Sequence, residues 1–250
     1  MQFRPCIDLH DGQVKQIVGS TLGYEGQAVV ENFISSNDSS YYANMFAQDG
    51  LTGGHVIMLG SGNEEAALRA LAAYPNGLQV GGGITADNAK TYIDAGASHV
   101  IVTSYIFHDG QFDEARLQRL VAAVGKEKLV IDLSCRKRDG KWFVVTNKWT
   151  QFSTFEVNAE SIRYIEQFCD ELLIHAVDVE GKRSGMQESL VMDLARWTSI
   201  PTTYAGGVRS LEDLQKFEQL TNGKLHVTIG SALSIFGGDL SYDEVVQYCK

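Results

Sequence analysis

Hydrophobic positions along this chain follow two alternating patterns. Short apolar, β-branched runs that close on glycine or a polar residue are followed by longer stretches in which apolar residues return every three or four positions. The short runs predict eight strands: Phe3–Leu9, His55–Leu59, Leu78–Val80, His99–Thr103, Leu129–Leu133, Leu172–Val177, Thr202–Ala205 and Leu225–Ile229. The longer stretches predict eight helices: Ser39–Gln48, Glu64–Ala73, Ala86–Ala95, Asp113–Val124, Ala159–Cys169, Glu188–Thr198, Leu211–Leu220 and Tyr242–Tyr248. In the fourth of these, Leu117, Leu120, Val121 and Val124 keep to one helical face, as burial of that face requires. Eight strand–helix units in succession predict an α/β fold, a (β/α)8 TIM barrel, with residues 1–250 forming one domain and no linker inside it.

The chain also repeats itself. Cys6-Ile7-Asp8-Leu9 returns as Val130-Ile131-Asp132-Leu133, and Gly82-Gly83-Ile84 returns as Gly206-Gly207-Val208, both 124 residues on. Thr103-Ser104 is echoed by Gly230-Ser231, the serines 127 residues apart. Three matches in the same order at nearly the same spacing point to two similar half-barrels of four units each.

Composition narrows the function. With 44% hydrophobic and 21% charged residues the chain can bury a core. Its 21 basic against 31 acidic residues give a net charge of −10, and no basic stripe offsets this, so no nucleic-acid partner is expected. No apolar run reaches the length of a membrane span, and Met1–Leu9 reads as strand rather than leader, so no membrane partner and no targeting peptide are expected. Cys6, Cys135, Cys169 and Cys249 are scattered without metal-type spacing, which fits reduced thiols and a cytoplasmic setting. Without coiled-coil heptads, a monomer is expected.

In a parallel barrel the C-terminal ends of all strands face one rim, where the chemistry is placed. Gly82 and Gly83 follow strand three and Gly206 and Gly207 follow strand seven, where a backbone without side chains offers amide donors to an anion. Thr103 with Ser104, and Gly230 with Ser231, end strands four and eight and add hydroxyls and further amides. Two anion sites on opposite sides of one rim imply a small elongated ligand with a phosphate at each end. Between them, Asp8 and Asp132 end strands one and five, a pair of carboxylates able to divide acid and base work.

Strand six adds His175, with Asp178 and Glu180 in the loop after it. His55, His99 and His226 stand at strand starts, read as structural positions on the opposite side of the barrel, and they suggest no metal cluster. After strand five, Asp139-Gly140 marks a hairpin carrying a basic cluster that includes Arg136, together with Trp142 and Trp149. Such a hairpin could cover the rim, contact an anion and stack on a planar ring.

These segments together, from Cys6-Ile7-Asp8-Leu9-His10-Asp11-Gly12-Gln13-Val14-Lys15-Gln16-Ile17-Val18-Gly19 through His175-Ala176-Val177-Asp178-Val179-Glu180-Gly181 to Ile235-Phe236-Gly237-Gly238, resemble the eukaryotic branch of a known family. It is the phosphoribosylformimino-5-aminoimidazole carboxamide ribotide isomerase family of histidine biosynthesis. The resemblance runs over residues 3–248 and implies an Amadori rearrangement of an aminoaldose to an aminoketose in a bisphosphorylated substrate, without metal or cofactor. It implies that Asp8 and Asp132 are the catalytic aspartates of strands one and five. It also implies that Trp149 stacks on the aminoimidazole, and it places Gly19 among the substrate-binding positions. Bacterial members have Thr and Asp-Gly where this chain has His175 and Glu180-Gly181. Asp8 is accordingly expected to be the base, with the acid among Asp132, Asp178 and Glu180 and the role of His175 open. A cyclase subunit of imidazole glycerol phosphate synthase, a non-catalytic barrel that only binds a phosphorylated metabolite, and an added activity on phosphoribosylanthranilate are the competing expectations.

Overall fold

The computed structural model describes residues 1–17, 30–182 and 184–250. Eight parallel strands form its centre: β1 (Cys6–His10), β2 (Gly54–Met58), β3 (Leu78–Gly81), β4 (Val100–Val102), β5 (Leu129–Asp132), β6 (Glu171–His175), β7 (Thr202–Ala205) and β8 (His226–Thr228). Each pairs with the next in register, from Cys6 beside His55 to Ala205 beside Thr228. A parallel bridge between Phe3 and Val227 closes the ring, with the Arg4 N–H donating to the Val227 carbonyl at 2.9 Å. One helix follows every strand: α1 (Ser39–Gln48), α2 (Glu64–Ala73), α3 (Ala89–Asp94), α4 (Glu114–Val124), α5 (Ala159–Ile165), α6 (Glu188–Trp197), α7 (Leu211–Thr221) and α8 (Tyr242–Cys249). This is the (β/α)8 barrel that the pattern of the sequence predicts.

Local chemistry sets the helix ends. Asp38, Asp113, Ser210 and Ser241 each accept a backbone N–H from the first turn of α1, α4, α7 and α8. Asn158 and Ser161 form a reciprocal cap on α5. Two predicted helices are too long. Before α3 the chain makes a turn held by the Thr85 N–H on Asn88 Oδ1 at 2.8 Å, so this helix starts at Ala89 rather than Ala86. α5 stops at Ile165 rather than Cys169, and just beyond it Glu166 accepts the Ser199 N–H at 2.6 Å and the Ser199 hydroxyl. β6 also ends early, at His175, because Ala176 bridges to Cys135 instead of continuing the strand as predicted to Val177.

The period-two alternation of each strand divides the core. Outward residues such as Ile7, Leu9, Val56, Val80, Val100, Ile131, Ile174 and Val227 pack under the helices. Inward, Ile101, Val130, Leu173 and Ala205 form a separate apolar layer with Ile57. Beneath it, at the N-terminal end, Glu171 pairs with the Arg4 guanidinium and accepts from Gln79 at 3.1 Å and Thr203 at 2.9 Å. This polar plug seals the bottom and leaves the other end of the barrel for the site.

Antiparallel additions rise from that rim, among them the short pair Phe107–His108 and Gln111–Phe112 after β4. Asp11 and Gly12, with φ of 52° and 74°, form a two-residue turn that lays Gln13–Ile17 against β1. Asp139 and Gly140, with φ of 51° and 80°, join Cys135–Arg138 to Lys141–Thr146, and Gln151–Val157 adds a third strand. The hairpin predicted at Asp139-Gly140 is thus one edge of a three-stranded sheet.

Candidate functional site

The barrel mouth holds a cavity of about 370 Å3. Lining it are Asp8 from β1, Gly82 after β3, Thr103 and Ser104 after β4, Asp132 from β5, His175 and Glu180 from β6 and its loop, Gly206 and Gly207 after β7, and Gly230 and Ser231 after β8. Fifteen of the sixteen sequence-predicted positions lie among the described residues, and twelve of them line this cleft: the eleven above and Trp149 from the hairpin loop. Gly83 lies next to Gly82 and is exposed, while Gly19 falls outside the described residues.

The glycine cradles have a steric reason. Gly82 has φ of 93°, and a Cβ there would collide with the Met58 carbonyl; Gly207 has φ of 80°, and a Cβ would collide with the Gly185 carbonyl. Both turns also carry their partner glycine, Gly83 or Gly206, at positive φ. The two half-barrels thus place the same backbone turn at corresponding corners of the cleft, each beside the hydroxyl-bearing end of the next strand.

Between these corners lie the titratable groups. Asp8 accepts the Gln16 amide on Oδ2 at 2.8 Å. Burial and the negative charge of Glu180 push its carboxyl up to about 7, against the opposing pull of His175 and Gln16. Asp132 accepts the Ser134 hydroxyl at 3.1 Å and contacts His175 Nδ1 at 3.1 Å. Burial alone would depress the imidazole, but Asp132, aided by Glu180 and Asp8, holds it up at about 9, so His175 is an imidazolium at neutral pH. Glu180 is raised above its ordinary value, chiefly by burial, and its buried Oε2 has no hydrogen-bond partner among the described residues.

Trp149 stands over this group, its ring centre 6.1 Å from that of His175. It closes an unusual segment, for Asn147, Lys148 and Trp149 all have positive φ, at 49°, 53° and 67°. Left-handed backbone costs roughly 1–2 kcal/mol per residue, and such strain gathers at functional sites.

Several expectations need correction. Asp178 does not enter the cleft: it pairs with Arg136 at 2.8 Å, and both border a separate cavity of about 200 Å3 with Lys148, Trp149 and Lys182. Of the rest of the basic cluster, Arg138 lies 4.6 Å from the Phe143 ring centre and Lys137 5.1 Å from that of buried Trp142, Lys141 pairs with Glu156 at 2.8 Å, and Lys148 lines the cleft. His55 is not on the far side of the barrel. It points inward, lines the cleft and lies 6.3 Å from His175, where burial and that neighbouring charge lower its pKa to about 3. His99 and His226 do fit structural roles, the first contacting Asp170 at 3.2 Å and the second accepting the Gln2 N–H at 3.2 Å.

Gln16 and Cys6 are cleft residues that the sequence reading missed. Asp11-Gly12 carried the same two-residue turn signal as Asp139-Gly140, and pairing Gln13–Ile17 with β1 would have brought Gln16 to Asp8.

Residues 2–240 match the family described as histidine biosynthesis protein. A relative from Neurospora crassa is 53% identical over 99% of this chain and 98% of its own length. One from Saccharomyces cerevisiae is 46% identical over 96% of this chain and 94% of its own. Both bear the name 1-(5-phosphoribosyl)-5-((5-phosphoribosylamino)methylideneamino)imidazole-4-carboxamide isomerase. A chloroplastic isomerase of the same name from Medicago truncatula is 52% identical over 99% of this chain and 81% of its own length.

Proposed function

The chain belongs to the histidine biosynthesis protein family and is an aldose–ketose isomerase of that pathway, and we propose that Asp8 is its base and Glu180 its acid. The substrate is the compound in the relatives' name. Its two phosphoribosyl groups would bring a phosphate to each glycine corner, leaving the reacting ribose between Asp8 and Glu180.

One observation carries the assignment: burial and the charge of Glu180 raise Asp8, yet of the two carboxyls only Asp8 accepts a side-chain hydrogen bond, from Gln16, while Glu180 is met by the Gly181 backbone and leaves Oε2 without a partner among the described residues. Of two neighbouring carboxyls, the one better stabilised as an anion is the better base. The base is therefore assigned to Asp8 and the acid to Glu180. Glu180 gives its proton to the ribose ring oxygen, the C1–O bond breaks, and the amino nitrogen's electron pair forms C1=N. Asp8 takes the C2 proton, and the C2–H electrons become the enolamine double bond. Asp8 then returns its proton to C1, and the enol O–H proton passes to Glu180 as the C2 ketone forms, which completes the aminoketose and restores both carboxyls. The His175 imidazolium, held in place by Asp132, would hydrogen-bond the oxygen at C2 as the enol forms and collapses. Trp149 would stack on the imidazole ring of the substrate.

The test is turnover of the named substrate by the purified protein with no partner subunit. Asp8→Asn and Glu180→Gln should each lower kcat by about 10²–10⁴-fold while substrate still binds. Full turnover in folded Glu180→Gln would move the acid to His175 or Asp132.

We place the protein in the cytoplasm as a monomer. Its four free cysteines support a reducing compartment, and among the described residues no helix is long and apolar enough to cross a membrane. A fluorescent fusion seen in an organelle, or a dimer in sedimentation, would overturn this.

A further inference from the structure

We infer that Cys6, Asp8 and His55 form a binding site for a thiophilic divalent cation of the Zn2+ class, and that its occupation switches the isomerase off. The second half rests on the role proposed for Asp8; the first does not.

The geometry follows from the strand pairing. Cys6 and Asp8 are two residues apart on β1 and so face the same way, into the barrel. His55 sits beside Cys6 on β2 in direct register. The Cys6 sulfur, a ring nitrogen of His55 and a carboxylate oxygen of Asp8 all lie within 4.8 Å of one another. A tetrahedral Zn2+ with bonds of about 2.0–2.3 Å needs its donors about 3.5 Å apart, so small side-chain rotations close the set. One sulfur, one nitrogen and one oxygen suit Zn2+ far better than Mg2+ or Ca2+. Three protein donors leave the fourth position for water, and all three residues line the cleft, which is the entry path.

A second observation points the same way. Glu180 lines the same cleft as the triad, and its buried Oε2 has no hydrogen-bond partner among the described residues, an oxygen left free for a metal-bound water. Gln16 stands behind the triad, its Nε2 2.8 Å from Asp8 Oδ2 and 3.9 Å from the Cys6 sulfur, placed to orient both ligands. The other cluster with three suitable groups, His10, Asp11 and Glu31, is already served by the Lys15 ammonium, 2.7 Å from Glu31 and 3.4 Å from Asp11.

Binding converts the Cys6 thiol to a thiolate, with its proton released to solvent, while His55 coordinates as the neutral imidazole. Asp8, once a ligand, cannot take the substrate's C2 proton.

Co2+ titration of the full-length protein tests the site, because a cobalt–thiolate bond adds a near-ultraviolet charge-transfer band. We expect one equivalent of Co2+ to produce that band, Cys6→Ser to abolish it, and His55→Gln to weaken Co2+ binding at least tenfold. Cys249→Ser, which removes the half-exposed thiol, should leave the band intact. Zn2+ should inhibit turnover competitively with substrate, be reversed by chelator, and lose at least tenfold in potency in His55→Gln relative to that variant's own metal-free rate. No thiolate band in the native protein overturns the site whatever the variants do, as does a band that survives Cys6→Ser or disappears in Cys249→Ser. Cobalt bound through thiolate with turnover untouched by Zn2+ overturns the inhibition, and with it the assignment of Asp8, while leaving the site standing.

Discussion

A carboxyl that titrates near 7 instead of 3.8 binds its proton more tightly in the folded chain than in the unfolded one. Asp8 therefore costs stability wherever it must ionise: the cost sets in as pH rises past its unfolded value and is complete above its folded one. Asp8→Asn should raise the melting temperature at about pH 8 by about 2–4 °C for each kcal/mol relieved, with no gain below about pH 4, as calorimetry at the two pH values would register. His175 works in the other direction. Its pKa of about 9 contributes stability that is present in full below the unfolded value and is lost as pH rises through 9. Gln16 tunes Asp8 by donating to the anion, so Gln16→Met should move the acidic limb of the kcat/KM profile to higher pH. An unchanged limb would mean that the amide only packs. At this scale the sequence revealed the residues that sit at strand ends, Asp8, Asp132 and His175, because rim position follows from strand order alone. It hid His55, whose inward direction depends on the register with β1, and it could not separate Glu180 from Asp178, since which of two loop carboxylates meets Arg136 depends on the hairpin.

The elements of the barrel were legible where periodicity is long and capped. α1 and α2 begin and end at the predicted residues, and Asp38 caps the first of them. Ends set by distant partners, such as Glu166 meeting Ser199 after α5, were not legible, because the partner lies 33 residues away. The turns after β3 show how one element divides its demands between adjacent glycines. Gly82→Ala forces a Cβ onto the Met58 carbonyl and should destabilise by several kcal/mol, whereas Gly83→Ala meets open space and should cost only the roughly 1–2 kcal/mol of a left-handed alanine. Denaturant unfolding of both variants measures the difference. The same backbone cost applies at Lys148. Lys148→Gly should be neutral or stabilising by up to about 1 kcal/mol, and Lys148→Val destabilising, because a β-branched side chain is least tolerated at positive φ.

As a whole, the molecule is held in a ring by contacts between its first and second halves. Arg4, just ahead of β1, pairs with Glu171 on β6 at the foot of the barrel. Arg4→Met alone strands a buried carboxylate and should cost about 3–5 kcal/mol, while the double change with Glu171→Met should recover most of that loss, as unfolding of the three variants would establish. The ring also leaves no free edge among its eight strands. The three-stranded sheet above the rim does have one: beyond the bridge from Cys135 to Ala176, the outer side of Cys135–Arg138 pairs with no strand among the described residues. That side is made of Arg136, Lys137 and Arg138 in succession. Two molecules approaching through this edge would bring Lys137 and Arg138 of each into one ladder, while Arg136 stays paired with Asp178. The cations that read in sequence as ligand-binding thus also act as a barrier to fibril-like growth, keeping concentrated enzyme from adding strand to strand.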